Sequence, residues 1–367
     1  VGFVVQVANE QQVAVISECP VHCEPIARLR MDEEVSIGRS GEELYRSNRA
    51  ELQGLWALTS YKMQTLRDEE NCAREEHSLV GMGRDDDPGL SSKLTYDVND
   101  NICSFFVGTS ARPKVAVIRE QGVNGQLEMA AAFHRAGFDC VDVHMTDLSE
   151  GLVSLSDFSV FVACGGFSYG DVLGGGGGWA KSILFNSRLR DEFSSFFESE
   201  KLALGVCNGC QMITQLKTLL PESDYLPRFV RNRSEQFESR TVMVKIGRND
   251  SPWLSGMQDS VIPVAVAHGE GRAEFELSGH SEELFKKQQV AMQYVDSHHQ
   301  ITERYPYNPN GAVQGLAGVL GNRGKVLMMM PHPERVFRTC QNVYQDKDWA
   351  EDGPWLRLFR NARKQLD

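Results

Sequence analysis

The chain has 367 residues, which is enough for two or three domains with cores of their own. Its formal net charge of −12 argues against a nucleic-acid partner, since such a partner requires a basic surface that neutralises phosphates. The sequence contains no run of about 18 apolar residues, so it predicts no membrane-spanning segment. Its 9 cysteines follow no repeating framework, which favours a reducing compartment, by default the cytoplasm.

The pattern along the chain changes near residue 112. Residues 1–45 alternate weakly between apolar and polar, which predicts a small sheet-bearing piece, and the next twenty or so have helical spacing. Residues 66–89 are rich in charge and predict a solvated linker, because they can bury little apolar area. From residue 112 onwards, short apolar runs such as KVAVIRE and LALGV alternate with helical segments. This alternation predicts an α/β fold whose open, mostly parallel sheet carries helices on both faces.

The C-terminal end of the chain predicts an amphipathic helix. In the closing segment GPWLRLFRNARKQL, four apolar residues recur at helical spacing, namely Trp355, Leu358, Phe359 and Ala362. Such a stripe is typical of a helix that packs one face against a core. We therefore expect these four side chains to be buried.

Two cysteines three residues apart, Cys207 and Cys210, follow the apolar run LALGV. A redox pair of this spacing usually lies near the first strand of a small domain, whereas several strand–helix units precede this one. A structural zinc site needs a second ligand pair at matching spacing, and the imidazoles of His268, His298 and His299 do not supply one. Both interpretations are therefore weaker than a third, in which only one thiol reacts.

In the third interpretation, Cys207 is the nucleophile of a strand–turn–helix elbow. Gly205 and Gly209 flank it as G-x-C-x-G, and a strained turn of this kind requires neighbours without Cβ. The following helix would stabilise a thiolate, and the main-chain N–H of Asn208 would bind an oxyanion. Cys210 then lies one turn inside the helix, in the core. An inert buried cysteine before an ordinary helix gives the same local pattern, so a second observation is required.

The second observation is a candidate base for the Cys207 thiol, His332. The apolar run 325–330 is followed by Pro331-His332-Pro333-Glu334, and two prolines hold a backbone extended. In an extended segment, His332 and Glu334 project to the same side, where the carboxylate can orient the imidazole and support its charge. Open α/β sheets place their sites at the carboxyl ends of strands, which is where both motifs lie. Cys207, His332 and Glu334 are therefore predicted to form a catalytic triad.

Glycines at another strand end complete the predicted site. The run FSVFVACGG ends at Gly165-Gly166, and the amide of Gly166 is a candidate second donor to an oxyanion. The glycines of 174–178 match neither a phosphate loop nor a dinucleotide fingerprint. We interpret them as a flexible turn before a helix that contains Trp179.

Residues 112–367 resemble a class I, triad-type glutamine amidotransferase domain. The segments ACGGFSYGDVLG, GVCNGCQM, PRFVRNRSEQFESR, AHGEGR, YPYNPNG and MMMPHPERVFR are similar to the glutaminase region of the large, single-chain formylglycinamide ribonucleotide amidotransferases. Residues 1–45 resemble the tail of that family's synthetase domain, and residues 46–111 its helical and acidic linker. The resemblance extends over about 250 residues of the chain.

The resemblance implies a function for the predicted triad. Cys207, His332 and Glu334 would hydrolyse L-glutamine through a thioester, and ammonia would pass through a channel to the synthetase domain of the same polypeptide. That domain would use ATP and Mg²⁺ to convert formylglycinamide ribonucleotide to the amidine in de novo purine biosynthesis, whereas the glutaminase domain would need no cofactor or metal. Besides Gly166 and Asn208, the implied substrate contacts are Gly165, Gln211, Phe229, Arg231, Asn232 and His268.

Two alternatives remain open at this point. One is another hydrolase with a cysteine elbow on the same fold, such as a peptidase or a glyoxalase-like enzyme. The other is a non-catalytic module that regulates a synthetase. The intact Cys207, His332 and Glu334 argue against the second, and labelling of Cys207 by glutamine analogues would separate a glutaminase from the first.

Overall fold

Two compact units make up the chain, Val1–Trp56 and Ala57–Asp367. In the first unit, helix α1 (Gln12–Glu18) precedes an antiparallel hairpin of β1 (Glu34–Arg39) and β2 (Glu42–Asn48). Helix α2 (Arg49–Arg67) begins where the hairpin ends, and the division between the two units falls inside this helix. The domain boundaries predicted at residues 45 and 111 stay a prediction. The computed structural model describes residues 2–83, 85–107, 112–199 and 201–366.

The second unit contains a nine-stranded sheet among the residues that the structure describes, in the order β4-β3-β5-β6-β13-β12-β11-β8-β9. The strands from β4 to β13 are parallel, and those from β12 to β9 are antiparallel. Strands β7 and β10 form a separate antiparallel pair. The strand bounds are β3 Lys114–Arg119, β4 Asp139–His144, β5 Val160–Ala163, β6 Leu202–Val206, β7 Arg228–Arg231, β8 Glu238–Ile246, β9 Val261–His268, β10 Glu270–Glu274, β11 Val290–Val295, β12 Leu316–Gly321 and β13 Val326–Met329.

Helices of the second unit lie before β3, in several connections between the strands, and after β13. None of the helices in the described part of the chain is long and apolar enough to cross a membrane. The α-helices are α3 Glu70–His77, α4 Ser104–Val107, α5 Gln126–Arg135, α6 Met145–Glu150, α7 Gly177–Leu184, α8 Ser187–Glu198, α9 Asn208–Gln215, α10 Ser278–Lys286 and α11 Leu356–Gln365. Short 3-10 turns lie at Asn9–Gln11, Leu155–Asp157, Ser168–Asp171, Pro252–Leu254, Val313–Gly315, Asn322–Gly324, Pro333–Arg335 and Thr339–Gln341.

The strand order places helices on both faces of the sheet. Helix α5 leads from β3 to β4 on one side of β3, whereas α7 and α8 lead from β5 to β6 in the opposite direction. Because such parallel crossovers are right-handed, the two connections lie on opposite faces, and the direction reverses between β3 and β5. The predicted fold class is confirmed, with the addition of the four antiparallel strands from β12 to β9.

The closing helix α11 packs as its sequence predicts. Trp355, Leu358, Phe359 and Ala362 are each fully buried. The ring of Phe359 makes an edge contact with Phe133 of α5, with ring centroids 5.0 Å apart. The predicted stripe is therefore confirmed as part of the core.

Most described residues of the charged segment 66–89 are exposed or half-buried, as a linker would be, but the segment also packs against the protein through one helix. Helix α3 buries Cys72, which is 1% exposed, against other parts of the second unit. The Arg233 side chain forms an ion pair with Glu75 and donates a hydrogen bond to the Cys72 sulfur over 3.2 Å. The Glu75 side chain is 30% exposed, so this ion pair keeps contact with solvent while it links α3 to a residue that is distant in sequence.

Candidate active site

Cys207 lies at a sharp turn between β6 and α9. Its backbone has φ of 52° and ψ of −111°, a conformation that is strained for any residue with a side chain. A Cβ atom on Gly209 would lie 2.0 Å from the carbonyl oxygen of Ala163, and one on Gly205 would lie 2.8 Å from the carbonyl oxygen of Gly209. Both flanking glycines are therefore required by close packing, as the G-x-C-x-G pattern predicts.

His332 and Glu334 meet just beyond the end of β13. The carboxylate Oε1 of Glu334 lies 2.6 Å from Nδ1 of His332, and both side chains are 1% exposed. The predicted pairing is thus present, but its predicted cause is wrong: Glu334 lies in the 3-10 turn Pro333–Arg335, not in an extended segment. The main-chain N–H of His332 donates to the main-chain carbonyl of Ala265 over 2.8 Å. This bond links the turn to β9, the strand at the edge of the sheet.

The thiol and two imidazoles share one buried space. A ligand atom from each of Cys207, His268 and His332 lies within 4.8 Å of the others. Burial raises the pKa of the Cys207 thiol, but the positive charge of His332 and the nearness of the His268 ring outweigh this effect and lower the pKa to about 5. Burial lowers the pKa of His332, yet the charges of Glu334 and Cys207 raise it to about 10. At neutral pH the pair is therefore a thiolate and an imidazolium.

In the loop after β5, the main-chain amide of Gly166 is without a partner among the residues that the structure describes. Phe167 N–H donates to the carbonyl of Gly122 over 2.8 Å, and Asn124 N–H donates to that of Gly165 over 2.9 Å. The amide of Gly166 lies between these bonds and donates to no other group among the described residues. The role of Gly166 as an oxyanion donor stays a prediction. The free amide is compatible with that role.

Asn208 begins helix α9, so its main-chain N–H has no acceptor within the helix. Its side chain is buried and has a different use. The amide nitrogen donates to Asp171 over 3.0 Å, and the amide oxygen accepts from the N–H of Ser168 over 3.3 Å. The side chain therefore holds the loop after β5, and only the main-chain N–H is free to bind an oxyanion.

Three further predicted residues lie beside the triad. A Cβ atom on Gly165 would lie 2.8 Å from the His332 ring, so glycine is needed for the imidazole to approach. His268, the last residue of β9, is 3% exposed and shares the buried space with Cys207. The side chain of Asn232 donates to the main-chain carbonyl of His268 over 2.8 Å. A contact of any of the three with substrate stays a prediction.

Three other predicted residues do not line the pocket above Cys207. Gln211 donates to the main-chain carbonyl of Glu270 over 2.8 Å and so links α9 to β10. Phe229 is part of the core, and Arg231 is exposed and donates to the carbonyl of Glu235 over 3.3 Å. Among the described residues, their contacts are structural, and a substrate contact remains a prediction for each.

The pocket itself has a volume of about 160 Å³ and opens beside Cys207. Several residues that line it were not predicted from the sequence. Arg335 follows Glu334 directly and could have been found from that position. Of the others, Asn124, Phe167 and Phe237 lie on loops, and Ala267 lies in strand β9. The lining consists of Asn124, Gly166, Phe167, Cys207, Phe237, Ala267, His332 and Arg335.

The glycine run 174–178 is not a loose turn. A Cβ atom on Gly175 would lie 2.3 Å from the Gln211 side chain, and one on Gly176 would lie 2.4 Å from the main-chain nitrogen of Met212. The run therefore packs closely against α9 and continues into α7, which contains Trp179 as predicted. The prediction of a flexible turn is therefore wrong, because the backbone of this run is in close contact with α9.

The site offers one donor set that could hold a metal among the described residues, the thiol of Cys207 with the rings of His268 and His332. A set of one sulfur and two nitrogen atoms does not suit Mg²⁺, which binds oxygen ligands. The Mg²⁺ and ATP expected for a synthetase domain are therefore not assigned to this site, and no step of the chemistry below depends on them.

The chain is similar to several solved structures. PurLQS from Thermotoga maritima is 24% identical with a TM-score of 0.54, and the match covers 70% of this chain and 100% of that one. A glutamine amidotransferase from Thermotoga maritima is 17% identical with a TM-score of 0.36, covering 61% and 77%. The CTPS glutaminase domain of Trypanosoma brucei, solved with bound acivicin, is 15% identical with a TM-score of 0.38, covering 70% and 95%.

The sequence also matches a protein family over most of its length. Residues 112–366 match the CobB/CobQ-like glutamine amidotransferase domain, and this range holds Cys207, His332 and Glu334. The matched range begins with the residues that lead into β3 and ends with helix α11. The chain belongs to the family of CobB/CobQ-like glutamine amidotransferases.

Proposed function

We propose that this chain hydrolyses L-glutamine and supplies the ammonia for the ATP-dependent conversion of formylglycinamide ribonucleotide to formylglycinamidine ribonucleotide. The observation that carries the glutaminase step is the triad. A buried Glu334 carboxylate lies 2.6 Å from His332, whose ring shares a buried space with the strained nucleophile Cys207. The purine-biosynthetic step rests on the resemblance of the sequence motifs, and the likeness to PurLQS is compatible with it.

In the first half-reaction, the Cys207 thiolate attacks the carboxamide carbon of glutamine, and the carbonyl oxygen becomes an oxyanion. The main-chain N–H groups of Gly166 and Asn208 bind that oxyanion; a donor of this kind contributes about 10²- to 10³-fold in rate. The imidazolium of His332 gives its proton to the amide nitrogen. The carbon–nitrogen bond then breaks, ammonia leaves, and a γ-glutamyl thioester remains on the sulfur.

In the second half-reaction, water hydrolyses the thioester. His332, now neutral, takes a proton from the water as it attacks the carbonyl carbon, so that an oxyanion forms again. The carbon–sulfur bond breaks, glutamate leaves, and the thiolate–imidazolium pair is restored. Glu334 keeps the imidazole oriented in both steps, and each positioned proton transfer contributes about 10²- to 10⁴-fold in rate.

The proposed partner is a synthetase domain of the same polypeptide, which would hold ATP and Mg²⁺. Ammonia is uncharged and small when it leaves, so a closed route to that domain would keep it from water and from protonation. Phe167 and Phe237 stand at the mouth of the pocket with ring centroids 6.3 Å apart and are about half exposed. We propose that this apolar rim faces the synthetase domain, and that the protein acts in the cytoplasm.

The test is release of ammonia from glutamine by the Cys207→Ala variant. We expect the rate to fall to background, whereas Cys210→Ala should keep most of the activity, because Cys210 is buried in the core and has no role in the chemistry. A chloroketone analogue of glutamine should label the wild-type protein at Cys207, and a peptide substrate should not be cleaved. Substantial ammonia release by Cys207→Ala would overturn the proposal.

A second measurement addresses the purine step. With the synthetase domain, ATP, Mg²⁺ and formylglycinamide ribonucleotide present, the wild-type chain should support amidine formation from glutamine. Cys207→Ala should support it from added ammonia only. Formation from glutamine with the variant, or no formation with the wild type, would contradict the assignment of this substrate.

A further inference from the structure

His268 is a second buried imidazole beside Cys207, and the triad does not use it. Its Nδ1 has no hydrogen-bond partner within the described part of the chain, although the ring is 3% exposed. Its Nε2 lies 2.7 Å from the side-chain nitrogen of Asn310. A buried ring nitrogen without a partner is costly, so the protonation of this ring and the direction of its N–H matter.

Main-chain groups determine which atoms donate and which accept in the hydrogen-bond network around His268. The Asn232 side-chain nitrogen donates to two main-chain carbonyls, those of Gln236 over 3.0 Å and His268 over 2.8 Å. Its oxygen accepts from the main-chain N–H of Gly271 over 2.9 Å. Because carbonyls only accept and main-chain N–H groups only donate, the orientation of the Asn232 amide is determined.

The direction of these hydrogen bonds also determines how Asn310 interacts with His268. The atom of Asn310 that lies 2.7 Å from the oxygen of Asn232 must be nitrogen, and its own oxygen accepts from the hydroxyl of Tyr294 over 2.5 Å. The second hydrogen of the Asn310 nitrogen is then directed at Nε2 of His268. His268 Nε2 is therefore an acceptor, and the ring carries its proton on Nδ1.

This tautomer decides between two uses of the ring. A metal at Nδ1 would need the lone pair there, with the proton on Nε2, where Asn310 already donates. An N–H at Nδ1, in contrast, suits an anionic acceptor, and the sulfur of Cys207 lies in the same buried space. The network thus favours a hydrogen-bond donor over a metal ligand.

We propose that His268 is a positioning residue of the glutaminase, whose Nδ1–H donates to the Cys207 thiolate and holds the sulfur on the line of attack. This inference rests on the proposed function. The two imidazoles then have different roles. His332 transfers a proton during the reaction, whereas His268 retains its Nδ1 proton and donates a hydrogen bond. The nearness of the His268 ring is among the causes that lower the pKa of Cys207.

Close packing keeps this network in place. A Cβ atom on Gly271 would lie 2.4 Å from Nε2 of His268 and 2.5 Å from the side-chain nitrogen of Asn310. Any residue other than glycine would therefore separate the two side chains. Glycine at position 271 is explained by the hydrogen bond between His268 and Asn310.

The experiment compares His268→Asn with His268→Gln in the full chain. The amide nitrogen of asparagine can take the place of Nδ1, whereas the glutamine amide takes the place of Nε2 and keeps only the contact with Asn310. We expect His268→Gln to lower kcat by about 10- to 100-fold with KM for glutamine unchanged, as loss of a hydrogen bond to a charged group does. The pH of half-maximal alkylation of Cys207 should rise, and His268→Asn should recover much of both losses.

Other outcomes would overturn the inference. A rise in KM without a change in kcat would make His268 a substrate contact, and equal behaviour of the two variants with an unchanged alkylation profile would make it structural. If either variant misfolds, the nitrogen-15 spectrum of the wild-type histidines decides: a proton on Nε2 of His268 refutes the assignment, and one on Nδ1 supports it. Cys207→Ala tests the glutaminase itself, so the two failures are distinguishable.

Discussion

Replacing Glu334 by glutamine removes a negative charge from a place where no water can substitute for it. The carboxylate lies 2.6 Å from Nδ1 of His332, and both side chains are 1% exposed. Two unit charges about 4 Å apart attract by about 4 kcal/mol at an effective dielectric constant near 20. Since one pKa unit corresponds to about 1.36 kcal/mol, the pKa of His332 should fall by roughly 2 to 3 units in Glu334→Gln.

The direction of the effect on activity follows from the two ionisations. In the wild type, the thiolate of Cys207 forms as the pH rises through about 5, and the imidazolium of His332 is lost as the pH rises through about 10. The rate constant kcat/KM should therefore be level between these values. In Glu334→Gln the alkaline fall should move to roughly pH 7 to 8, while the level part drops by about 10²- to 10⁴-fold, because the imidazole loses its orientation as well.

The assay is ammonia release across the pH range in buffers of constant ionic strength. Glu274→Gln is the matched control: it makes the same chemical change at an exposed residue that pairs with Arg272 over 3.7 Å on the surface. We expect its profile to match the wild type. An alkaline fall that stays near pH 10 in Glu334→Gln would refute the role of this carboxylate in holding the charge of His332.

Three further predictions concern the elbow, the thiol and the segment before the glutaminase. Gly209→Ala should lower the melting temperature sharply or prevent folding, since the added Cβ would lie 2.0 Å from a carbonyl oxygen, whereas Gly279→Ala, with open space at that atom, should not. Alkylation of wild-type Cys207 by iodoacetamide, followed by mass spectrometry, should be half-maximal near pH 5; a midpoint above pH 8 would contradict a thiolate at rest. Deleting residues 1–111 removes Cys72 and Tyr96 from the second unit and should increase binding of an apolar dye; a monomer that binds no more dye than the wild type would count against this.

The elbow and the last helix could be predicted because their signals are local. Gly205 and Gly209 lie two residues from the nucleophile, and the steric need for them follows from the turn itself. The stripe of α11 repeats with the helical period, so its burial can be derived from spacing alone. In both cases, the residues that determine the structure are neighbours in the sequence.

The contacts of α3 and of His268 could not be predicted, because the hydrogen bonds and ion pairs of polar side chains follow no periodic pattern in the sequence. Glu75 pairs with Arg233, which lies 158 residues further along the chain, and nothing in either segment indicates the other. Asn310 lies 42 residues from His268 and acts through a single hydrogen bond. Charge-rich composition therefore predicted solvent exposure throughout, whereas the structure buries Cys72 and Ala73 and pairs Glu75 with a distant arginine.

The distance between sulfur and imidazole depends on a register that the sequence does not encode visibly. Strands β6 and β13 pair in parallel with Val206 opposite Met329, and Cys207 N–H donates to the carbonyl of Met329 over 2.9 Å. Both strands are buried on both faces and have no alternation that would specify this pairing. A slip of two residues would keep each side chain on its face yet move His332 by about 6.6 Å, at about 3.3 Å per residue, out of reach of Cys207. The shapes of the buried side chains around β13 must therefore select the register, and the chemistry of the site depends on the packing of the core.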